Sequence, residues 1–240
     1  GGATKLMELG ELASAVLGGR AAGLYAYDLS VGRSLPGLLP RLRLPRHVTH
    51  DYLRRTMRPH TYSRSWPTLF LGARGTRSTL HVDQWEGHFW MVCLHGAKRW
   101  TIFHPDDTPY LYPSWDHGGL YPRFPPLAEL RGSPDRYPLF ARARYDEFVL
   151  ARGELLFVPG GTPHAVENVA DCLAVAGNFV DDSNVDAALA DMRLLGLRDG
   201  ALAAVAESLD EMELDAEVGM VEGLLPADEL TVAAEPDWLD

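Results

Sequence analysis

Gly153-Glu154-Leu155-Leu156-Phe157-Val158-Pro159-Gly160-Gly161-Thr162-Pro163-His164 reads as a strand, a tight turn and the opening of a second strand. Apolar, β-favouring residues run from Leu155 to Val158, and Pro159-Gly160-Gly161 then reverses the chain, delivering His164 to the next strand. On that strand His164, Val166 and Asn168 share a face, so Asn168 could orient a ligand or satisfy buried backbone. Upstream lies His81-Val82-Asp83. Side chains at i and i+2 of an extended segment point the same way, so His81 and Asp83 can aim at one point.

Working outward, strand-like text fills residues 66–179, with runs expected at 68–72, 79–83, 88–94, 99–103, 147–150, 155–159, 164–169 and 173–179. Eight short strands punctuated by Gly and Pro indicate a mainly β jelly roll, a cupin-like double-stranded β-helix whose mouth can hold a small ligand. His81, Asp83 and His164 would supply two imidazoles and one carboxylate. That set suits a non-haem Fe(II) centre with three positions open for cosubstrate and O2. Alternation in the run after Gly96 places Lys98, Trp100 and Ile102 on one face. If that face is the inner one, Lys98 needs an anion, which a dicarboxylate would provide; if it is the outer one, Lys98 lies in water.

The chain resembles the JmjC-domain oxygenases, a family dependent on Fe(II) and 2-oxoglutarate, and within it the phosphatidylserine-receptor-like subgroup of arginine demethylases and lysyl hydroxylases. The resemblance rests on Leu24-Tyr25-Ala26-Tyr27-Asp28, on Arg74-Gly75-Thr76-Arg77-Ser78-Thr79-Leu80-His81-Val82-Asp83 and on Gly96-Ala97-Lys98-Arg99-Trp100. Phe157-Val158-Pro159-Gly160-Gly161 before His164, and Gly177-Asn178-Phe179, complete it. It implies that His81, Asp83 and His164 ligate iron and that Lys98 grips the distal carboxylate of 2-oxoglutarate. Ser78 falls where a hydroxyl assists, while Tyr25 and Asn178 match positions of the cosubstrate pocket. Strand parity makes Thr79, at i−2 from His81, a competitor of Ser78 unless a bulge intervenes. Two departures stand out: Met91 replaces a cosubstrate-binding Asn of the subgroup, and Ala176 replaces a Thr.

Composition fits one catalytic unit with appendages. At 240 residues the chain can bury a sizeable core, and 46% hydrophobic against 23% charged residues argues against disorder. Expected boundaries are an N-terminal helical or irregular flank at 1–65, a catalytic core at 66–183 with an insertion at 106–144, and an acidic helical segment at 184–240. Cys93 and Cys172 sit inside apolar runs and read as reduced core residues. No apolar run is long enough to span a bilayer, so a cytoplasmic or nuclear location is expected. The chain begins Gly1-Gly2, so a targeting signal ahead of it would be invisible.

Charge is uneven. Residues 181–240 hold 17 Asp and Glu against Arg193 and Arg198, more than accounting for the overall −11. The remainder is slightly basic, with Arg41, Arg43, Arg46, Arg54, Arg55 and Arg58 forming the main cluster around an expected helix at 49–58. The cluster could be a solvated flank or a surface for an acidic peptide or nucleic acid, the latter not favoured. Beyond residue 184, helices are expected at 184–195 and 201–221. A stripe of Leu189, Met192, Leu195, Leu202, Val205 and Leu209 needs a partner surface, the barrel or a second copy in a homodimer. In the insertion, Tyr110, Tyr112, Trp115, Tyr121 and Phe124 could form a lid or peptide groove, or seal the barrel's side; His104 and His117 are expected to be loop residues.

The functional expectation is an oxidoreductase: a 2-oxoglutarate-dependent dioxygenase hydroxylating a protein or peptide side chain and yielding succinate and CO2. The alternatives are an N-methyl lysine or arginine demethylase and a catalytically silent cupin-like binding module.

Overall fold

A computed structural model describes residues 6–44, 48, 51–55, 65–115 and 121–211. Two antiparallel sheets face each other. The five-stranded sheet runs β1-β2-β9-β4-β7 and the four-stranded sheet β3-β8-β5-β6. The strands are β1 (Tyr25–Ser30), β2 (Thr68–Gly72), β3 (Arg77–His81), β4 (His88–His95), β5 (Ala97–Phe103), β6 (Tyr145–Ala151), β7 (Leu155–Val158), β8 (His164–Asn168) and β9 (Cys172–Phe179). This is the jelly roll, with each of the eight expected runs forming a strand. The ninth, β1, comes from the Pro- and Arg-rich flank and pairs with β2.

Alternation explains the layering. Along β4, Phe89, Met91 and Cys93 point between the sheets to join Trp100, Val158 and Val166. Trp90, on the opposite face, packs under the N-terminal flank with Val16, Leu71 and Val175. Both faces of this strand are covered, so its sequence reads as a continuous apolar run. The inward face of β9 carries small residues, Ala174 and Ala176. Bulk is therefore missing on the inside of the five-stranded sheet.

The acidic segment forms α-helices at Val185–Gly196 and Gly200–Asp210. All six stripe residues, Leu189 through Leu209, are buried, in a cluster with Tyr52, Leu53 and Trp85 of the same chain. The stripe's partner surface is thus intramolecular. Tyr52–Arg55 is helical, within the helix expected at 49–58, of which residues 49, 50 and 56–58 lie outside the described residues. Arg46, Arg58, His117, the side chains of Arg54 and Arg55, and residues 212–240 lie outside the described residues.

The insertion mainly seals the outside of the four-stranded sheet. Tyr110, Tyr112 and Phe124 pack with Leu80, Phe103 and Leu130, while Trp115 stays exposed. Asp107 receives a bidentate bond from Arg144, Nε to Oδ2 at 2.8 Å and Nη2 to Oδ1 at 3.1 Å, pinning the ends of the insertion together. His104 serves as a cap, accepting from the backbone N–H of Asp106. Cys93 and Cys172 are free and buried, their Sγ atoms 3.8 Å apart.

Candidate active site

His81 ends β3 and His164 begins β8, and the two residues are direct cross-strand partners. Their rings lie 4.3 Å apart between centroids. Asp83 follows on the extended segment after β3, its Oδ1 3.6 Å from His81 Nε2. One donor atom from each of His81, Asp83 and His164 falls within 4.8 Å of the other two, the cluster of this kind found among the described residues. The spacing of two along an extended segment and the turn before His164 thus converge as the sequence implied.

Hydrogen bonds aim the ligand atoms. His81 Nδ1 donates to the Thr79 carbonyl at 2.6 Å and His164 Nδ1 to that of Thr162 at 3.0 Å. Both bonds leave Nε2 as the lone-pair nitrogen, the tautomer a metal needs. Asn178 donates to Asp83 Oδ2 at 3.0 Å, leaving Oδ1 turned toward His81. Its bond is to a carboxylate of the candidate metal cluster, whereas the sequence resemblance assigned it to the cosubstrate pocket; it also lines the cavity. His164 is 2% exposed, and burial holds its pKa below the ordinary imidazole value. The residues present fit a divalent metal.

A cavity of about 620 Å³ opens beside the triad. Lys98, 1% exposed, lines it together with Trp100, while Arg99 between them turns outward to Glu167. Lys98 is therefore on the inner face. Its Nζ donates to Asn168 Oδ1 at 2.8 Å and lies 3.5 Å from the Tyr25 hydroxyl. Asn168 stands directly opposite Lys98 across the β5–β8 ladder, and its amide donates to Thr76 Oγ1 at 2.8 Å, which turns the oxygen toward the lysine. No carboxylate pairs with Lys98 among the described residues. Burial lowers its pKa, so the charged form lacks a counter-ion that a cavity-bound anion could supply. Trp100 also carries a buried indole N–H with no partner.

The β3–β8 ladder is irregular between Ser78 and His81, and this bulge resolves the parity conflict. Ser78 reaches the cavity and lines it together with Tyr25, whose hydroxyl pKa burial pushes up to about 12. Thr79 borders the cavity rim and is exposed. Met91 lines the wall and Ala176 is buried in the inter-sheet core.

A second recess of about 340 Å³ adjoins His81 and Asp83, with Lys98 not among its lining residues. Its walls include Asp28, Trp66, Trp85 and Tyr121, with no Lys or Arg among the described lining residues. Asp28 borders both spaces. It has φ of 55°, left-handed backbone, in the irregular stretch of β1 between Ala26 and Leu29. Such strain in a non-glycine residue concentrates at ligand sites. Asp28 was not identified as a site residue from sequence, and Asn168 was not identified as the partner of Lys98; Tyr121, named from sequence as a possible lid or groove residue, lines the recess. The Tyr-x-x-Asp spacing of Tyr25 and Asp28 was the available signal.

Two expectations follow. Asn168→Leu should strand Lys98 without its acceptor and lower stability by about 1–3 kcal/mol, visible in thermal melts. Stability of the metal-free protein should also depend on pH. His88, like His164, is buried, and its pKa is lowered by burial against the opposing pull of Asp181. A depressed histidine pKa favours folding above the unfolded value of about 6.5, and that contribution is lost as pH falls from there toward the folded value. Melts between about pH 7 and 5 should show the decline, and His88→Asn should flatten it.

A jelly roll with two histidines and one carboxylate facing its hollow defines a metal-binding protein of the cupin type. Residues 19–184 match the family model described as a cupin-like domain, and the chain belongs to that family, in its JmjC branch. It is 28% identical over 173 residues to the lysine-specific demethylase JMJ21 of Arabidopsis thaliana, covering 70% of this chain and 18% of that protein. It is 26% identical over 117 residues to the arginine-specific demethylase JMJ20 of the same plant, 49% of this chain and 24% of that one. Similarity to the 2-oxoglutarate and iron-dependent oxygenase JMJD4 of Gallus gallus is 29% over 120 residues, 49% of this chain and 27% of the relative. The chain thus spans about a quarter or less of the length of these curated relatives.

Proposed function

We propose that this chain is the catalytic domain of an Fe(II)- and 2-oxoglutarate-dependent dioxygenase that hydroxylates a protein or peptide side chain. The observation that carries this reading is Lys98: a buried cation facing the same cavity as a His81–Asp83–His164 triad. His81, Asp83 and His164 would hold the iron. Bound Fe(II) supplies oxidation of a substrate C–H bond by O2, coupled to conversion of 2-oxoglutarate to succinate and CO2.

The chain's own groups do the rest. Lys98 neutralises the far carboxylate of the cosubstrate, and that carboxylate in turn restores the lysine's charge. Tyr25, its hydroxyl kept protonated, is a second donor beside it, with the Ser78 hydroxyl lining the same cavity. Phe89, Met91 and Val166 line the cavity with apolar surface and limit water around the metal. The recess favours a basic side chain as substrate. Asp28 and the aromatic walls suit an ammonium or guanidinium group, which carboxylates and ring faces both attract.

Demethylation of an N-methyl lysine or arginine is the second reading. It is favoured by the same recess and by the names of the two plant relatives. Both reactions use one triad. Incubating Lys- and Arg-containing peptides, plain and N-methylated, with Fe(II), 2-oxoglutarate and O2 separates them by mass spectrometry. Gain of one oxygen marks hydroxylation and loss of methyl marks demethylation. Unchanged peptides, with no succinate formed, would leave a silent binding module.

A further inference from the structure

Asp83 and His164 reach the site from separate segments, each with a tight turn beside it. After Asp83 the chain passes through left-handed backbone at Trp85 (φ 57°) and Glu86 (φ 49°) before entering β4. Before His164 it passes through Gly160 and Gly161 (φ 68°). These turns touch. A Cβ at Gly160 would lie 2.0 Å from the Glu86 carbonyl oxygen, so only glycine fits there. Asn184 holds that carbonyl from the other side, donating its Nδ2 at 2.7 Å.

His88 lies across this junction. The Gly160 N–H donates to His88 Nδ1 at 2.9 Å. Nδ1 therefore carries the lone pair and Nε2 the proton, which is donated to Ser183 Oγ at 2.8 Å. The Ser183 hydroxyl in turn donates to Asp181 Oδ1 at 2.6 Å. The ring is fixed between Phe157 and Phe179, each 5.2 Å from it between centroids. His88 thus joins the strand that follows the His81–Asp83 segment, the turn that precedes His164 and the loop after β9.

We propose that His88 is a positioning residue for the metal centre, holding the Gly160 turn so that His164 meets His81 and Asp83 at one point. The inference rests on the metal reading above. It makes the Nδ1–Gly160 bond, rather than the imidazole as bulk, the feature that matters.

Asn and Gln separate these features. The Asn oxygen can occupy the place of Nδ1, whereas the Gln amide reaches the place of Nε2. Metal-free wild type, His88→Asn and His88→Gln are titrated with Mn(II), free metal being followed by electron paramagnetic resonance, and circular dichroism and melts confirm that each is folded. Loss of a bond that orients a metal ligand typically weakens affinity about 10- to 100-fold. The expected result is that loss in His88→Gln and recovery to within a few-fold of wild type in His88→Asn. Equal affinities in the two variants, strong or weak, overturn the proposal, as does a weaker Asn variant. If either amide variant is unfolded, the comparison moves to Gly160→Ala against Gly153→Ala, a turn remote from the triad. Weakened Mn(II) binding confined to Gly160→Ala supports the proposal, and binding unchanged overturns it. Wild-type protein that binds no Mn(II) would defeat the metal reading itself, and this inference with it.

Discussion

Replacing His81 with Ala should leave a folded protein that neither retains iron nor turns over. His81 is half-exposed at the end of β3, so its side chain contributes little to the core. Its Nε2, however, is one of only three donors in the cluster, and no other His, Cys, Asp or Glu joins them among the described residues. Removing a ligand should lower turnover by about a thousandfold or more, roughly 4 kcal/mol or beyond, since metal-derived stabilisation is several kcal/mol. Succinate formation together with a metal assay checks both parts. A variant that lost activity while keeping one equivalent of tightly held iron would mean that His81 acts otherwise than as a ligand.

Lys98→Met should separate cosubstrate binding from metal binding. Methionine fills much of the same volume without a charge to bury, so the barrel should stay folded. Removing one partner of a buried charge-assisted pair costs about 2–5 kcal/mol, which is about 30- to several-thousandfold in 2-oxoglutarate affinity. Mn(II) affinity measured without cosubstrate should change little, because Lys98 is no part of the triad. Calorimetric titration of each ligand in turn decides this. Parallel loss of both would place Lys98 among the determinants of the metal site.

Much of this site was legible because it rests on local geometry. An extended segment puts His81 and Asp83 on one side, and the Pro159-Gly160-Gly161 turn brings His164 opposite. Alternation put Lys98 and Trp100 on one face; which face was inner depended on tertiary packing, and the structure settles it through the burial of Lys98. The features missed all depend on contacts distant in sequence. β1 has little strand alternation of its own, reaches its place by pairing with β2, and is broken by the bulge that holds Asp28. Asn178 has the same residue type whether it binds a cosubstrate or a carboxylate; only the fold reveals Asp83 beside it. The bulge that turns Ser78 inward is a property of the β3–β8 pairing and leaves no mark in β3 alone. The apolar stripe of the C-terminal helices was correctly periodic, yet periodicity cannot say whether its partner is the same chain, and here it is.

The most direct test needs no knowledge of the peptide substrate. Fe(II) and 2-oxoglutarate are added without oxygen to the purified chain, and the visible charge-transfer absorption of a keto acid chelated to ferrous iron is followed. The expected result is a band that requires both additions, saturates at one equivalent of each, and is absent in His81→Ala and severely weakened at the same cosubstrate concentration in Lys98→Met. A wild-type protein that shows no such band, or one whose band persists unchanged in His81→Ala, would contradict the assignment of this cavity as an iron- and 2-oxoglutarate-binding site.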